Sequence, residues 1–155
     1  MSMDLEKMVQ RLTDIEDIKQ LKARYAAACD DDYNVEKLSP LFTEDAVWDG
    51  GILGYADGHA AICEFFANSA NLVPFAVHQI SNPLVEIDGD KATGEWYLWQ
   101  PMVFQGEALW LSAVYNDEYV RQDGAWRYQN LKLNIRMLTP YEEGPAKTRI
   151  IEVDL

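Results

Sequence analysis

Histidine is scarce in this chain. Only His59 and His78 occur in 155 residues. Two imidazoles that far apart form no metal-ligand cluster. The two cysteines, Cys29 and Cys63, have neither metal-type nor redox-type spacing, so a reduced, cytoplasmic protein without metal or cofactor is expected. Positive charge is short as well. Thirteen Lys and Arg against 26 Asp and Glu leave a net charge of -13, which would be repelled by nucleic acid and by anionic membrane surfaces. No run approaches the ~20 apolar residues of a membrane span. The start, Met1-Ser-Met-Asp-Leu-Glu6, lacks the basic and apolar regions of a secretory signal. Internal repeats, a phosphate loop and a nucleophile elbow are missing too.

What is present suits one globular domain spanning residues 1–155, with 48% hydrophobic and 25% charged residues. The first third reads as helix. Thr13-Asp-Ile-Glu16 has the pattern of a capping box. Apolar residues then fall at Ile15, Ile18, Leu21, Tyr25 and Cys29, the spacing of an amphipathic helix. Residues Met3 to Arg11 add a shorter helical lead-in. The helix is predicted to end between Cys29 and Tyr33, where three aspartates crowd against the negative end of its dipole. Asn34 caps a short helix over Val35 to Leu38, and a short strand covers Ala46 to Trp48. Gly50, Gly51 and Gly54 mark a loop. A further helix starts at Asp57-Gly-His59 and buries Ile62, Phe65 and Phe66. His59 sits in its first turn, where it is expected to be exposed and without a catalytic role.

Everything after Val73 reads as strand. The first runs from Phe75 through Pro83 into Leu84–Asp90 and carries His78, with Asp88-Gly-Asp90 as a hairpin turn. Lys91 to Val103, Leu109 to Arg121 and Ala125 to Leu138 follow, joined by turns at Gln105-Gly106 and Gln122-Asp-Gly124. Helices first and an antiparallel meander second define an α+β fold. Alternation puts Trp96, Leu98, Gln100 and Met102 on one strand face and Tyr97 and Trp99 on the other. The segment Thr139-Pro-Tyr-Glu-Glu-Gly-Pro145 breaks the meander. A last strand is predicted over Lys147 to Leu155, covering either its own pocket or a neighbouring subunit. Taken alone, His78 fits two roles: a buried histidine bonded to backbone, or a general base lining a pocket.

Several of these pieces in order carry a resemblance: Leu21-Lys-Ala-Arg-Tyr-Ala-Ala-Ala-Cys-Asp30, Leu41-Phe-Thr-Glu-Asp-Ala-Val-Trp48, Gly58-His-Ala-Ala-Ile62, Val77-His78 and Asp123-Gly-Ala-Trp126. Together they resemble the SnoaL-like branch of the NTF2-like superfamily over nearly the whole chain. That resemblance implies an NTF2-like (cystatin-like) cone, with N-terminal helices packed on a curved antiparallel sheet around an internal pocket. Members include polyketide cyclases, scytalone dehydratase, bile acid 7α-dehydratase and Δ5-3-ketosteroid isomerase, and others have no enzymatic activity. In the bile acid dehydratase type a helix tyrosine, an aspartate five residues on and a strand histidine form the site. Tyr25, Asp30 and His78 match those places.

The resemblance thus implies His78 as base, Asp30 as the group fixing its tautomer, and Tyr25 as donor to a developing oxyanion. Residues five apart on a helix point ~140° apart, so Tyr25 and Asp30 converge only where the helix loosens or ends. The implied pocket lining is Trp48, Trp96, Leu98, Met102, Tyr115, Leu133 and Ile135. Met102 stands where scytalone dehydratase has its second histidine, and Ala113 and Tyr115 where it has serine and asparagine, which argues against that particular reaction. The expected activity is a cofactor-independent lyase of the dehydratase type, or an isomerase. Its expected substrate is a hydrophobic, aromatic or polycyclic small molecule. The alternative is a non-catalytic ligand-binding or assembly subunit. The uncovered sheet face, carrying Trp110 and Val114, is expected to be buried in a homo-oligomer, a dimer or trimer.

Overall fold

The computed structural model describes residues 2–155, with side chains from residue 4 onward. Helix α1 runs without a break over Ser2–Asp30. The predicted capping box does not form. Thr13 Oγ1 instead donates back to the Val9 carbonyl at 3.0 Å, and Glu16 is taken by Lys19 and Gln20 one turn on. A hydroxyl inside a continuous helix has its own preceding turn as nearest acceptor. The second half of α1 buries Ile18, Leu21, Tyr25, Ala28 and Cys29, a stripe at helical spacing. Two polar anchors reinforce it. Asp14 accepts from Arg121 Nη1 at 2.6 Å and from Trp126 Nε1 at 3.1 Å, and Lys22 donates to Asp117 at 2.8 Å.

After α1 come α2 (Val35–Leu38), β1 (Phe42–Asp49), β2 (Tyr55–Asp57) and α3 (His59–Leu72). Asn34 caps α2 as expected, its side chain accepting from Lys37 N at 3.3 Å. β1 is longer than the predicted stretch, and the sequence reading missed β2. His59 is half-buried rather than exposed, because its Nε2 lies 2.9 Å from the Ser39 carbonyl. Strands β3 (Phe75–Ala76), β4 (Gln79–Asp88), β5 (Lys91–Phe104), β6 (Glu107–Gln122) and β7 (Ala125–Pro140) complete a seven-stranded sheet.

Its order is β2-β1-β7-β6-β5-β3, with β4 also on β5. Most pairs are antiparallel, but β1 runs parallel to β7, so the sheet is mixed rather than purely antiparallel. A strand that follows a helix and must reach the far edge of the meander has no hairpin to set its direction. Bulges on the β6–β7 ladder, between Ser112 and Ala113 and between Glu118 and Tyr119, bend the sheet around the helices. The result is the α+β, NTF2-like architecture, with a curved sheet that does not close.

The long strand expected around His78 is split in two, and Pro101 accounts for the break. Val77 N donates to the Pro101 carbonyl at 3.1 Å, but proline has no N–H to return. Ala76 pairs with Met102 and Gln79 with Trp99, so the register carries across the interruption and places His78 opposite Gln100. The final segment is not the predicted strand. Leu138 and Ile150 form one parallel bridge, and Leu155 reaches the mouth of the internal cavity.

Candidate active site

The core at the open end of the cone holds a cavity of about 60 Å³. Ligand pockets run to roughly 300–1,000 Å³, so a ligand must displace the lining, and Leu155 at the mouth is the piece least held by secondary structure. The Gln105 amide holds this tail by donating to the Asp154 carbonyl at 3.0 Å.

His78 lines the cavity, and its side chain is 5% exposed. Nδ1 lies 2.6 Å from Asp30 Oδ1, and the His78 backbone N–H donates to both oxygens of the same carboxylate, at 3.0 and 3.2 Å. A carboxylate can only accept, so the imidazole proton is held on Nδ1. Nε2 keeps its lone pair and has no partner among the described residues. Asp30 is not part of the lining and touches the imidazole from the solvent side. It is the last residue of α1, and the helix ends there as convergence requires.

Two left-handed residues make that ending. Asp32 has φ +54° and Tyr33 φ +51°, each costing about 1–3 kcal/mol for a non-glycine residue. The curl is tied by Tyr33 N to the Cys29 carbonyl and Asn34 N to the Ala28 carbonyl, at 3.2 and 3.0 Å. Lys37 and Asn34 hold the Asp31 carboxylate and depress its pKa. This turn swings the Tyr33 ring into the cavity wall, edge-on to His78 at 6.2 Å and stacked on Phe66 at 6.0 Å. Tyr33 was not picked out from the sequence, because no local pattern foretells two consecutive left-handed residues.

Tyr25 lies inside, buried, with its ring edge-on to Tyr115 at 6.2 Å. Its oxygen accepts from Trp48 Nε1 at 3.0 Å, and the Cys29 thiol and Tyr115 hydroxyl are its other side-chain neighbours for hydrogen bonding. Burial pushes the pKa values of Tyr25, Tyr33 and Tyr115 above the ordinary tyrosine value, which keeps all three as neutral donors. Trp48 is held by a loop that needs glycine. A Cβ on Gly50 would lie 2.3 Å from the Trp48 ring, and one on Gly54, at φ +128°, 2.5 Å from Phe65. Trp48 and Phe65 pack together at 4.5 Å and close that side.

Of the predicted lining, Trp48, Met102, Tyr115 and Leu133 face the cavity, together with Tyr25 and His78. Trp96, Leu98 and Ile135 do not. Trp96 and Leu98 lie on the predicted face of β5 and are buried, but nearer the strand's start, where the core is packed rather than hollow. There Trp96 Nε1 donates to the Tyr119 hydroxyl at 3.0 Å. Ile135, partly buried against the core, lines a surface groove beside Ile52 and Ile150 instead. Alternation identifies a face, but not which end of it is hollow. Among the described residues no group of three or more His, Cys, Asp or Glu is placed to hold a metal.

An apolar cone with a carboxylate-backed imidazole at its wall is the layout of a small-molecule-binding domain. The chain belongs to the SnoaL-like domain family, whose model matches residues 10–132. The uncharacterized protein Rv2910c of Mycobacterium tuberculosis is 32% identical over 123 residues, covering 77% of this chain and 83% of that protein. A putative aromatic ring hydroxylase from Novosphingobium aromaticivorans superposes with TM-score 0.77 at 29% identity, over 83% of this chain and 94% of its own. A putative scytalone dehydratase from the same organism gives 0.79 at 21% identity, over 86% and 91%. A type 2 hexachlorocyclohexane dehydrochlorinase (LinA) gives 0.77 at 22% identity, over 88% and 92%. The last two likenesses establish the shared fold. No helix among the described residues is long and apolar enough to cross a membrane.

Proposed function

We propose that the protein is a cofactor-independent lyase of the dehydratase type, or an isomerase using the same first step, acting on a hydrophobic ring-bearing small molecule. The observation that carries this reading is the Asp30–His78 pair. Its carboxylate lies 2.6 Å from Nδ1, keeps the proton there and leaves Nε2, on the wall of an apolar cavity, without a partner among the described residues. His78 Nε2 removes a proton from the carbon next to a carbonyl. Asp30 stabilises the imidazolium, and the buried tyrosine hydroxyls at Tyr25, Tyr33 and Tyr115 stabilise the enolate oxygen. In a dehydration the β C–O bond then breaks, a C=C bond forms, and the imidazolium returns its proton to the departing hydroxyl as water. In an isomerisation it returns the proton to another carbon.

Proton abstraction precedes both outcomes and can be measured by itself. Exchange of the α-hydrogens of 3-hydroxy-1-tetralone in D₂O, followed by NMR, is expected to be accelerated by the protein. His78→Ala should slow it by ~10²–10⁴ while the variant still unfolds cooperatively. Equal exchange with wild type and His78→Ala would replace this reading with a ligand-binding one.

Assembly forms part of the same proposal. The outer sheet face carries Tyr97 and Trp99, about two-fifths exposed, with Trp99 stacked on Trp110 at 5.2 Å and Tyr141 against Trp110 at 5.1 Å. A contiguous aromatic patch of this kind marks an interaction surface, and a homo-oligomer through it is expected. Light scattering at micromolar concentration tests it, and a mass near the 17.7 kDa monomer would refute it.

A further inference from the structure

The buried face of β5 reads Trp96, Leu98, Gln100, Met102, Phe104, with one polar side chain among five. Gln100 is 4% exposed and lines the cavity. Its Nε2 donates to the Met102 thioether at 3.2 Å, and no other side-chain hydrogen bond of Gln100 is formed among the described residues. Sulfur is a weak acceptor, while a side-chain amide has two donors and a carbonyl oxygen to satisfy. Leucine or methionine would pack this position at no such cost. Gln100 therefore has an N–H and a carbonyl left over, both inside an apolar cavity.

Its position adds a second observation. The register places His78 directly across from Gln100, and Val77 N bonding to the Pro101 carbonyl makes the flanking pair the hydrogen-bonded one. His78 and Gln100 thus form a non-hydrogen-bonded cross-strand pair, the kind whose side chains stand closest, with Cα atoms ~4.5 Å apart. Among the described residues the imidazole is the one nitrogen base on the wall, and no Asp, Glu, Lys or Arg side chain lines the cavity. A charged substrate group would find no counter-ion there.

We propose that Gln100 is a substrate-binding residue, and that it holds an uncharged hydroxyl or carbonyl oxygen beside the atom that His78 deprotonates. This rests on His78 being the base, as set out above, and it narrows the substrate to neutral oxygenated compounds. A halogen substituent accepts too weakly to satisfy the amide, and a carboxylate would enter a site without a cation. The amide suits either oxygen function, donating to a carbonyl or accepting from a hydroxyl.

Binding of phenol, cyclohexanone, chlorobenzene and benzoate to the full chain, titrated by NMR, tests the proposal without any turnover. Wild type should bind phenol and cyclohexanone about tenfold tighter than chlorobenzene, the worth of one buried hydrogen bond, and benzoate weakest. Gln100→Met should bring phenol and chlorobenzene within about twofold by weakening phenol. Gln100→Leu, which removes both donor and acceptor, should bring cyclohexanone within about twofold of chlorobenzene. It carries the test if the methionine variant does not fold. His78→Ala should retain the oxygen preference, so a failure of the base reading shows in proton exchange and leaves this pattern intact. Equal binding of phenol and chlorobenzene by wild type, absence of binding by every probe, an undiminished preference in Gln100→Met, or an undiminished preference for cyclohexanone over chlorobenzene in Gln100→Leu would each overturn the proposal.

Discussion

Replacing Lys22 by methionine tests how the core under the cavity is held. Lys22 and Asp117 are 1% and 0% exposed at their side chains, and they meet at 2.8 Å. The ammonium also lies 3.3 Å from the centre of the Tyr115 ring, and Tyr119 donates to the same Asp117 oxygen at 2.8 Å. The other carboxylate oxygen has no partner among the described residues. Methionine fills the lysine's space but leaves a buried carboxylate with one hydroxyl donor, a change that costs ~3–5 kcal/mol. That cost should fall in acid. Burial already raises the Asp117 pKa, with the lysine opposing it, and losing the lysine raises it further. The folded state then binds the proton more tightly than the unfolded chain. Stability of the variant is therefore greatest below the unfolded value of ~3.9, and declines by about 1.4 kcal/mol per pH unit as pH rises towards the folded pKa. Urea unfolding of wild type and Lys22→Met, read by tryptophan fluorescence at pH 5 and pH 7, gives the difference at each pH. The penalty should be smaller at pH 5. Lys22→Met/Asp117→Asn should recover most of it, since a buried pair replaced at both ends costs little. A penalty below ~1 kcal/mol, or one that does not change with pH, would refute a charged, dry pair.

The Asp30 carboxylate invites a milder change. In Asp30→Asn the amide oxygen can occupy the Oδ1 position, keeping both His78 contacts at 2.6 and 3.0 Å and the Nδ1–H tautomer. What is lost is the negative charge facing the imidazolium, worth ~4 kcal/mol at ~4 Å in an effective dielectric of ~20 and less here, because the Asp30 side chain is 32% exposed. Proton exchange should slow by ~10–10³, with the ¹⁵N spectrum of the imidazole still showing a protonated Nδ1. A change of tautomer, or an unaltered rate, would remove Asp30 from the proposed mechanism.

The hairpins of the meander were legible in the sequence because each turn is local chemistry. Gly89, Gln105-Gly106 and Asp123-Gly124 supply the left-handed residues that their two-residue turns require, and the strand bounds follow. The buried face of β5 was legible for the same reason, since alternation is a property of one strand. The resemblance supplied Tyr25, Asp30 and His78, and the strand histidine is where the chain indeed brings a carboxylate and an imidazole together. Other features arose only when distant segments met. The parallel β1–β7 pair is set by how α3 and the meander share one core, which no short window contains. Whether a face is packed or hollow depends on which distant segments fill the space above it, so Trp96 and Leu98 were placed on the right face and at the wrong end. Ile135 lies beside a bulge in its own strand, where alternation alone does not tell which cavity or groove a residue lines. Tyr33 entered the cavity because the helix end curls through two strained residues, a conformation the surrounding core holds in place. The pairing of His78 with Gln100 is a register between two separate segments of the chain. Local patterns determined the elements and their faces. The relation between elements, which makes a cavity and puts a base beside an amide, is a property of the packed whole.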